Sequence, residues 1–358
     1  MAETSFQAST PGSTGDYPRD QIMATLYGQA VGDAIGLLTE FLTKEEAKEE
    51  YGEVRKHLEL EHKHLWPDVH RTRWEEGDWT DDTDQMILIL QSLTDNDGQV
   101  KPEDFADRLK FWSRNGFPEL GDRVGMGIGT TTAKVIANPE FVTQPHKAAR
   151  EWLESGKMAA SNGAVMRTSI LGVHQFWDTD AVVGNALDIC KTTHYDPRCQ
   201  ASTVAVSVAI SLMLKRAPQH MKRSGKYRVN KIIHDSFKMA ATCLQTQEEK
   251  KELKSFLEIK KIQNLKLSES GKIGYTYKCL GAGFWALKQK DFRKALQKIV
   301  MEGGDADTNG AVAGALLGCK LGMSALPVSW VTNLKHKAWL DEKIEKYFVR
   351  GEKMMANK

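Results

Sequence analysis

The apolar positions of this chain follow a helical spacing along most of its length. From Asp20 onward the segment IMATLYGQAVGDAIGLLTEFL predicts a helix for which Asp20 is a candidate N-cap. The amphipathic pattern of residues 102–115 predicts a second helix, and QASTVAVSVAISLML at 200–214 predicts a deeply buried one. Convincing strand alternation is absent from the sequence. We therefore predict an all-α fold, a single compact multi-helix domain.

Several predicted helices are rich in glycine and alanine. Gly32 and Gly36 fall inside the first helix, where each glycine costs roughly 1 kcal/mol relative to alanine. Such glycines are explained if another helix or a ligand approaches closely.

The segment 180–216 predicts two helices separated near 192–197, and residues 291–300 predict the helix that leads to Gly303.

Charged segments interrupt this pattern and define the predicted boundaries. Two highly charged inserts, about 44–78 and 215–272, are expected to form exposed helices and loops. A basic run at 215–231 contains one aromatic residue, Tyr227, which favours a solvated insertion over a nucleic-acid patch. The predicted units are a flexible N-terminal tail at 1–18, the helical domain at 19–345 and a C-terminal tail at 346–358.

The amino-acid composition limits the classes of protein to which this chain can belong. With 41% apolar and 27% charged residues the chain can bury a core, and a net charge of +2 favours neither a nucleic-acid nor a membrane partner. Its five cysteines form no CxxC pair, which argues for a reducing compartment. With no run of 18 apolar residues and no signal-peptide pattern, we expect a location in the cytoplasm or nucleus. We also expect the protein to be a monomer.

Two clusters of carboxylates precede apolar helices. Thr80, Asp81 and Asp82 open one cluster, and Asp305, Asp307 and Thr308 form the other, more than 220 positions away. Helix capping needs one such residue, and carboxylates this close repel each other unless a cation lies between them. We therefore predict that the two helix starts meet and hold a hard, oxygen-liganded metal ion.

Other interpretations of the acidic clusters fail on single residues. A calcium-binding EF-hand loop needs Glu where Leu316 stands, and an aspartate-based phosphatase motif needs Thr in place of Asn309. The aspartate-rich helix of terpenoid synthases requires an acid where Gln85 stands. The histidines of EHKHLWPDVH at 61–70 fit a solvated polar helix better than a zinc site.

A glycine-rich loop containing Gly125, Gly127 and Gly129 precedes another predicted helix. Free backbone N–H groups in such a loop suit a phosphate, although a plain inter-helix turn explains the pattern equally well. The strand that a dinucleotide-binding fold places before this motif is missing. A second turn of small residues, 159–167, also precedes a helix.

Together these segments resemble the ADP-ribosylglycohydrolase family over about residues 20–345. The pair of acidic blocks, in this order and separation, carries the resemblance, and Gly32 to Gly36 with Glu40 match the family's first helix. The resemblance implies an all-α fold with two Mg²⁺ ions, or Mn²⁺ in their place. The implied metal ligands are Thr80, Asp81, Asp82, Asp305, Asp307 and Thr308.

The same resemblance implies an activity and a set of contacts. Asp81 and Asp82 would position or deprotonate a water, with Glu40 as an assisting acid or base, and the glycine loop would hold a pyrophosphate. The implied contacts to the rest of ADP-ribose are Ser161, Asn162, Gly163, Met166, His194 and Tyr275. The implied partners are ADP-ribose and an ADP-ribosylated protein.

The linkage that is cleaved is left open by the sequence. The resemblance places ADP-ribosyl-arginine first, ahead of O-linked ADP-ribose on serine or in an acyl ester. A non-catalytic ADP-ribose-binding or structural relative is a third hypothesis, which the complete set of acidic residues disfavours. The insert at 44–78 lies where the family has a mobile lid, and a lid contacts the leaving group.

Overall fold

The computed structural model describes residues 17–61, 64–156 and 160–357. In these ranges the regular structure is helical, and β pairing is confined to isolated bridges between Ser161 and Tyr275 and between Met221 and Tyr227. The helices are α1 (Arg19–Gly36), α2 (Lys44–Tyr51), α3 (Asp81–Asp95), α4 (Pro102–Asn115), α5 (Thr130–Ile136), α6 (Pro145–Glu154), α7 (Ser169–Val173), α8 (Thr179–Lys191), α9 (Pro197–Lys215), α10 (Val229–Ala240), α11 (Gln247–Leu257), α12 (Thr276–Leu287), α13 (Phe292–Val300), α14 (Ala306–Leu321), α15 (Val328–Thr332) and α16 (Lys337–Ala356).

Helices α1 and α14 pack antiparallel at the centre, and their backbones touch. A Cβ atom on Gly28 would lie 2.2 Å from the carbonyl oxygen of Gly314, and one on Gly32 would lie 2.1 Å from that of Gly310. Near the end of α1, a Cβ on Gly36 would lie 2.3 Å from the carbonyl oxygen of Ala306. Gly32 and Gly36, predicted to permit a close approach, therefore lie directly against α14, and a larger residue at either position would force the backbones apart.

The remaining helices surround this pair. Helix α9, predicted to be deeply buried, is long and apolar enough to cross a membrane by composition, but 83% of that window is buried inside the protein. Helices α8 and α10 pack on α9, and α12 packs on α14. The described residues form one all-α domain with a continuous apolar core, as the sequence predicted.

The charged insert at 215–272 is more closely packed than predicted. Helix α10 buries Ile232 and Ile233, and α11 buries Leu253 and Leu257. The two leucines of α11 lie one helical turn apart and attach it to the core, although charged residues outnumber apolar ones in this helix. In α10 the two isoleucines are adjacent and have the same effect. The expectation of an exposed insert is therefore wrong for the inner faces of both helices.

The expected C-terminal tail is also wrong for most of its length. Helix α16 continues to Ala356 and buries Tyr347, Phe348 and Gly351. Most of the predicted N-terminal tail, residues 1–16, lies outside the described residues. Tyr17 precedes α1, and its ring centroid lies 6.0 Å from that of Phe348, so both ends of the described chain pack together.

Candidate metal and substrate site

The two acidic clusters meet in space, as the sequence predicted. Thr80 is the N-cap of α3 and Asp305 the N-cap of α14, so both helix N-termini face the same point. The hydroxyl of Thr80 donates to Asp307 Oδ2 at 3.3 Å. The hydroxyl of Thr308 donates to Asp82 Oδ2 at 3.2 Å. Aligned helix dipoles favour negative charge at this point, which supports a dense group of carboxylates.

A buried aspartate of α1, Asp33, supports the start of α3. Its Oδ1 accepts from the backbone N–H of Thr80 at 3.0 Å, and its Oδ2 accepts from the Thr83 hydroxyl at 2.6 Å. Burial raises the pKa of Asp33 to about 7, and these hydrogen bonds oppose the rise. Asp33 was not among the predicted site residues, although it lies between Gly32 and Gly36, which match the family's first helix.

The arrangement fits a divalent cation. Ligand oxygens of Glu40, Asp305 and Asp307 all lie within 4.8 Å of one another. Within the described ranges, Asp82 Oδ1 and Asp307 Oδ1 are buried and have no hydrogen-bond partner. Burying a carboxylate oxygen without a hydrogen-bond partner lowers the stability of the fold, and a bound cation compensates for this loss. This acidic cluster could therefore hold a divalent metal ion.

The electrostatics lead to the same conclusion. Burial, followed by repulsion from neighbouring carboxylates, raises the pKa values of Asp81, Asp82 and Asp307 well above the usual range. A cation among these groups would favour their ionised forms and reverse the shifts. Asp84, from the same sequence cluster, faces away and accepts hydrogen bonds from the indoles of Trp79 and Trp112 at 2.8 and 3.1 Å.

Glu40 is held beside the acidic cluster by two residues of the first charged insert. His70 Nε2 lies 2.5 Å from Glu40 Oε2, and the guanidinium of the buried Arg71 donates to the carbonyl oxygens of Leu38 and Glu40. Burial raises the pKa of Glu40, and His70 opposes the rise. Neither His70 nor Arg71 was predicted, because their proximity to Glu40 depends on how the insert folds back.

A chain of buried polar groups runs from Asp81 towards the small-residue turn. Gln85 Nε2 donates to Asp81 Oδ2 at 2.6 Å, and Arg167 donates to Gln85 Oε1 at 2.6 Å. Arg167 also donates to Thr193 Oγ1 at 2.7 Å. Burial lowers the pKa of Arg167 to about 10, so its guanidinium stays charged at neutral pH. Gln85 and Arg167 were missed because ordinary core helices also bury such residues.

The chain of polar groups ends at His194. Its Nδ1 is hydrogen-bonded to Thr193 Oγ1 at 2.7 Å and its Nε2 to Ser161 Oγ at 2.8 Å. Burial and the nearby Arg167 guanidinium lower the pKa of His194 to about 3, so the imidazole is neutral at physiological pH. A neutral imidazole fixes the orientation of the Ser161 hydroxyl without adding charge.

The turn around Ser161 adjoins the acidic cluster. Asn162 Nδ2 donates to Asp305 Oδ2 at 2.9 Å, and the Met166 N–H donates to the Asn162 carbonyl at 3.1 Å. A Cβ atom on Gly163 would lie 3.0 Å from His194 Cε1, so the turn sits directly on the imidazole. Tyr275 is joined to Ser161 by the isolated β-bridge.

The glycine-rich loop forms a neighbouring wall. A Cβ atom on Gly127, whose φ is +92°, would lie 2.6 Å from Asp81 Oδ1, so the loop backbone touches the acidic cluster. Gly125 packs on Trp112, whereas a Cβ atom on Gly129 would meet open space. In the described part of the chain, the backbone N–H groups of the three loop glycines donate to no protein acceptor. The predicted contact residues thus surround one acidic centre.

The protein is thus an all-α domain in which carboxylates from two helix N-termini form a candidate site for a divalent metal ion. The family model for ADP-ribosylglycohydrolase matches residues 14–356. The chain belongs to the ADP-ribosylglycohydrolase family, which is a family of hydrolases acting on ADP-ribosylated substrates.

Individual relatives are distant. A protein of Archaeoglobus fulgidus described as uncharacterized is 30% identical over 90% of this chain and 94% of its own length. The ADP-ribosyl-[dinitrogen reductase] glycohydrolase of Rhodospirillum rubrum is 25% identical over 90% and 93%. The ADP-ribosylarginine hydrolase Tri1 of Serratia proteamaculans is 23% identical over 92% and 79%.

A solved structure shares the fold. The chain titled ADP-ribosylglycohydrolase-related protein complex superposes with a TM-score of 0.60 at 21% identity, covering 94% of this chain and 99% of that chain. At this identity the likeness supports the architecture alone.

Proposed function

We propose that this protein is a magnesium-dependent hydrolase that removes ADP-ribose from modified arginine side chains. The observation that carries the proposal is the meeting of the two acidic helix starts beside a glycine loop whose N–H groups have no acceptor among the described residues. The family membership supports glycoside hydrolysis, and the names of two relatives support a protein-linked substrate.

The metal ligands in this proposal come from both helix starts. They are Thr80, Asp81, Asp82, Asp305, Asp307 and Thr308. Two magnesium ions, or manganese in their place, would neutralise the carboxylates, orient ribose hydroxyls and activate a water when bound.

The substrate diphosphate would lie on the glycine loop. Its oxygens would accept from the backbone N–H groups of Gly125, Gly127 and Gly129, which donate to no acceptor in the part of the chain that the structure describes. The Ser161 hydroxyl, oriented by His194, would contact a ribose hydroxyl, and Asn162 would hold Asp305 in place. Met166 lies beneath this turn, and Tyr275 offers a ring beside it for adenine.

The reaction is attack of water on the anomeric carbon of the ribose nearest the modified side chain. The bond from that carbon to the arginine nitrogen breaks, the water oxygen bonds to the carbon, and a proton passes to the nitrogen. Asp81 and Asp82 would position or deprotonate the water. Burial raises the pKa of Glu40, which would accept or donate the transferred proton, assisted by its hydrogen bond to His70.

The experiment is a matched panel of substrates. Purified protein is incubated with arginine-linked and serine-linked ADP-ribosyl peptides and with an acylated ADP-ribose, in magnesium, in manganese and in chelator. Release of free ADP-ribose is measured by chromatography. We expect arginine-linked substrate to be hydrolysed fastest, and only with a divalent ion.

Two outcomes would change the proposal in different ways. Faster release from the serine-linked peptide or the ester would keep the site and replace the substrate. Binding of ADP-ribose in calorimetry without turnover of any substrate would show a non-catalytic relative.

A further inference from the structure

A basic cavity lies outside the acidic site, between α2 and α13. Its volume is about 400 Å³, within the range of small-molecule sites, and none of the residues proposed for hydrolysis line it. The lining residues are Lys44, Lys48, Arg55, Lys56, Gln263, Lys294, Gln297, Lys298, Met301 and Glu302.

The cations come from both sides of the cavity. Lys44 and Lys48 are one turn apart on α2, and Lys294 and Lys298 are one turn apart on α13. Like charges at this spacing destabilise a helix, and bringing two such pairs together adds to the cost. Six cationic side chains line the cavity, while Glu302 is the carboxylate among its described lining residues.

Most of these cations lack an anionic partner in the described part of the chain. Lys44 pairs with Glu302 at 2.8 Å and Lys294 with Asp291 at 3.1 Å. The ammonium of Lys298 lies 5.4 Å from the Trp285 ring centroid, which is a cation–π contact. For Lys48, Arg55 and Lys56, no carboxylate oxygen of the described residues lies within 4.0 Å.

The floor of the cavity adds a neutral polar group. The Gln297 side chain is 5% exposed, and its Oε1 accepts from the backbone N–H of Leu58 at 3.2 Å. That bond leaves the amide N–H₂ as the part of Gln297 available to a ligand. Lysines, an arginine and an amide donor around one concave volume match an anion with several oxygen acceptors.

We propose that this cavity binds a small polyphosphate anion, either free or as the phosphate chain of a nucleotide. A compact anion satisfies cations that converge from several segments, whereas an extended acidic peptide suits a linear basic surface. Glu302 lies three residues before Asp305, and Lys44 lies four residues after Glu40, so the cavity adjoins the segments that carry the acidic site. The proposal concerns binding and does not depend on hydrolysis.

Calorimetry on the full chain in chelator tests the proposal, with inorganic triphosphate, ATP and a polyglutamate peptide as probes. The variant K48Q/K298Q removes one cation from each wall, and both side chains are exposed, so folding is preserved. The variant K251Q/K353Q removes two exposed lysines elsewhere and matches the change in net charge. We expect triphosphate affinity to fall at least about tenfold in K48Q/K298Q alone.

The probes also identify the source of the anion. Equal affinity for triphosphate and ATP would support a site for the phosphate chain itself, and tighter binding of ATP would support a nucleotide. Equal weakening in both double variants would show nonspecific attraction and overturn the proposal. Tighter binding of polyglutamate, or no binding of either phosphate probe, would also overturn it.

Discussion

Replacing Gly32 with alanine tests whether the contact between α1 and α14 sets the geometry of the acidic site. The added Cβ would lie 2.1 Å from the carbonyl oxygen of Gly310, whereas ordinary contact begins at 3.4 Å. The obstacle is backbone, so no rotamer change relieves the clash and the helices must separate by about 1 Å. Gly32 also precedes Asp33, which supports the start of α3.

The expected cost follows from these distances. Overpacking of a rigid core contact costs about 1–3 kcal/mol, and the upper end applies because backbone meets backbone. The helix propensity of alanine returns about 1 kcal/mol. We therefore expect a net loss of about 2 kcal/mol in the free energy of unfolding, with a fall of several degrees in the thermal midpoint.

The matched control is Gly184→Ala in α8. Gly184 is exposed, and a Cβ atom added there meets no other atom within 4 Å. This variant should gain about 0.5–1 kcal/mol from helix propensity. Thermal unfolding is measured for both variants in magnesium and in chelator. Gly32→Ala should also lose part of any stabilisation by magnesium. Equal midpoints for Gly32→Ala and the parent protein would refute the close contact.

Three further predictions concern the polar groups of the site. Asp82→Asn should abolish nearly all release of ADP-ribose while leaving the helical circular dichroism unchanged, and Asp107→Asn on the exposed face of α4 should hydrolyse at the parent rate. Arg167→Met should cost about 2–4 kcal/mol in chemical unfolding because Gln85 loses a buried charged donor, and a change below about 1 kcal/mol would contradict this. The pKa of Asp33 is about 7 in the folded protein, against an ordinary value of 3.8, so the chelated protein should become less stable as pH rises from about 4 to 7. The Asp33→Asn variant should lose stability less steeply over the same range, and a slope identical to that of the parent protein would rule this out.

The helices that depend on local pattern could be predicted from the sequence. Residues 102–115 were predicted and observed as α4, because its apolar residues occupy one face and Pro102 starts it. The convergence of the acidic clusters was also predictable, since two distant groups of carboxylates before apolar helices require more than capping. Their ligand roles stay a prediction.

The errors have identifiable causes. In α16, Leu340, Ile344, Tyr347 and Phe348 recur at helical spacing, so the signal for a continuing helix was present in the sequence. In α11 the apolar positions are sparse, and its composition suggested exposure. Helix α10 is richer in apolar residues, but it lies within an insert whose overall charge suggested exposure.

Contacts between distant segments could not be predicted. The sequence did not indicate that His70, in a charged insert, would lie against Glu40, or that Arg167 would donate to Gln85. Such contacts depend on how loops return to the core, and local spacing carries no information about that path.

The backbone contact between α1 and α14 has a consequence for how a large substrate enters. Asp33 lies on α1, and the carboxylates after Gly304 lie at the start of α14, so separating the two helices would break the backbone contacts between them. Under the proposed function, a protein-linked nucleotide would therefore enter and leave past the segments around this pair, namely the insert before α3 and the glycine loop before α5. Variants in those segments would change the rate of exchange, while the central pair would stay fixed.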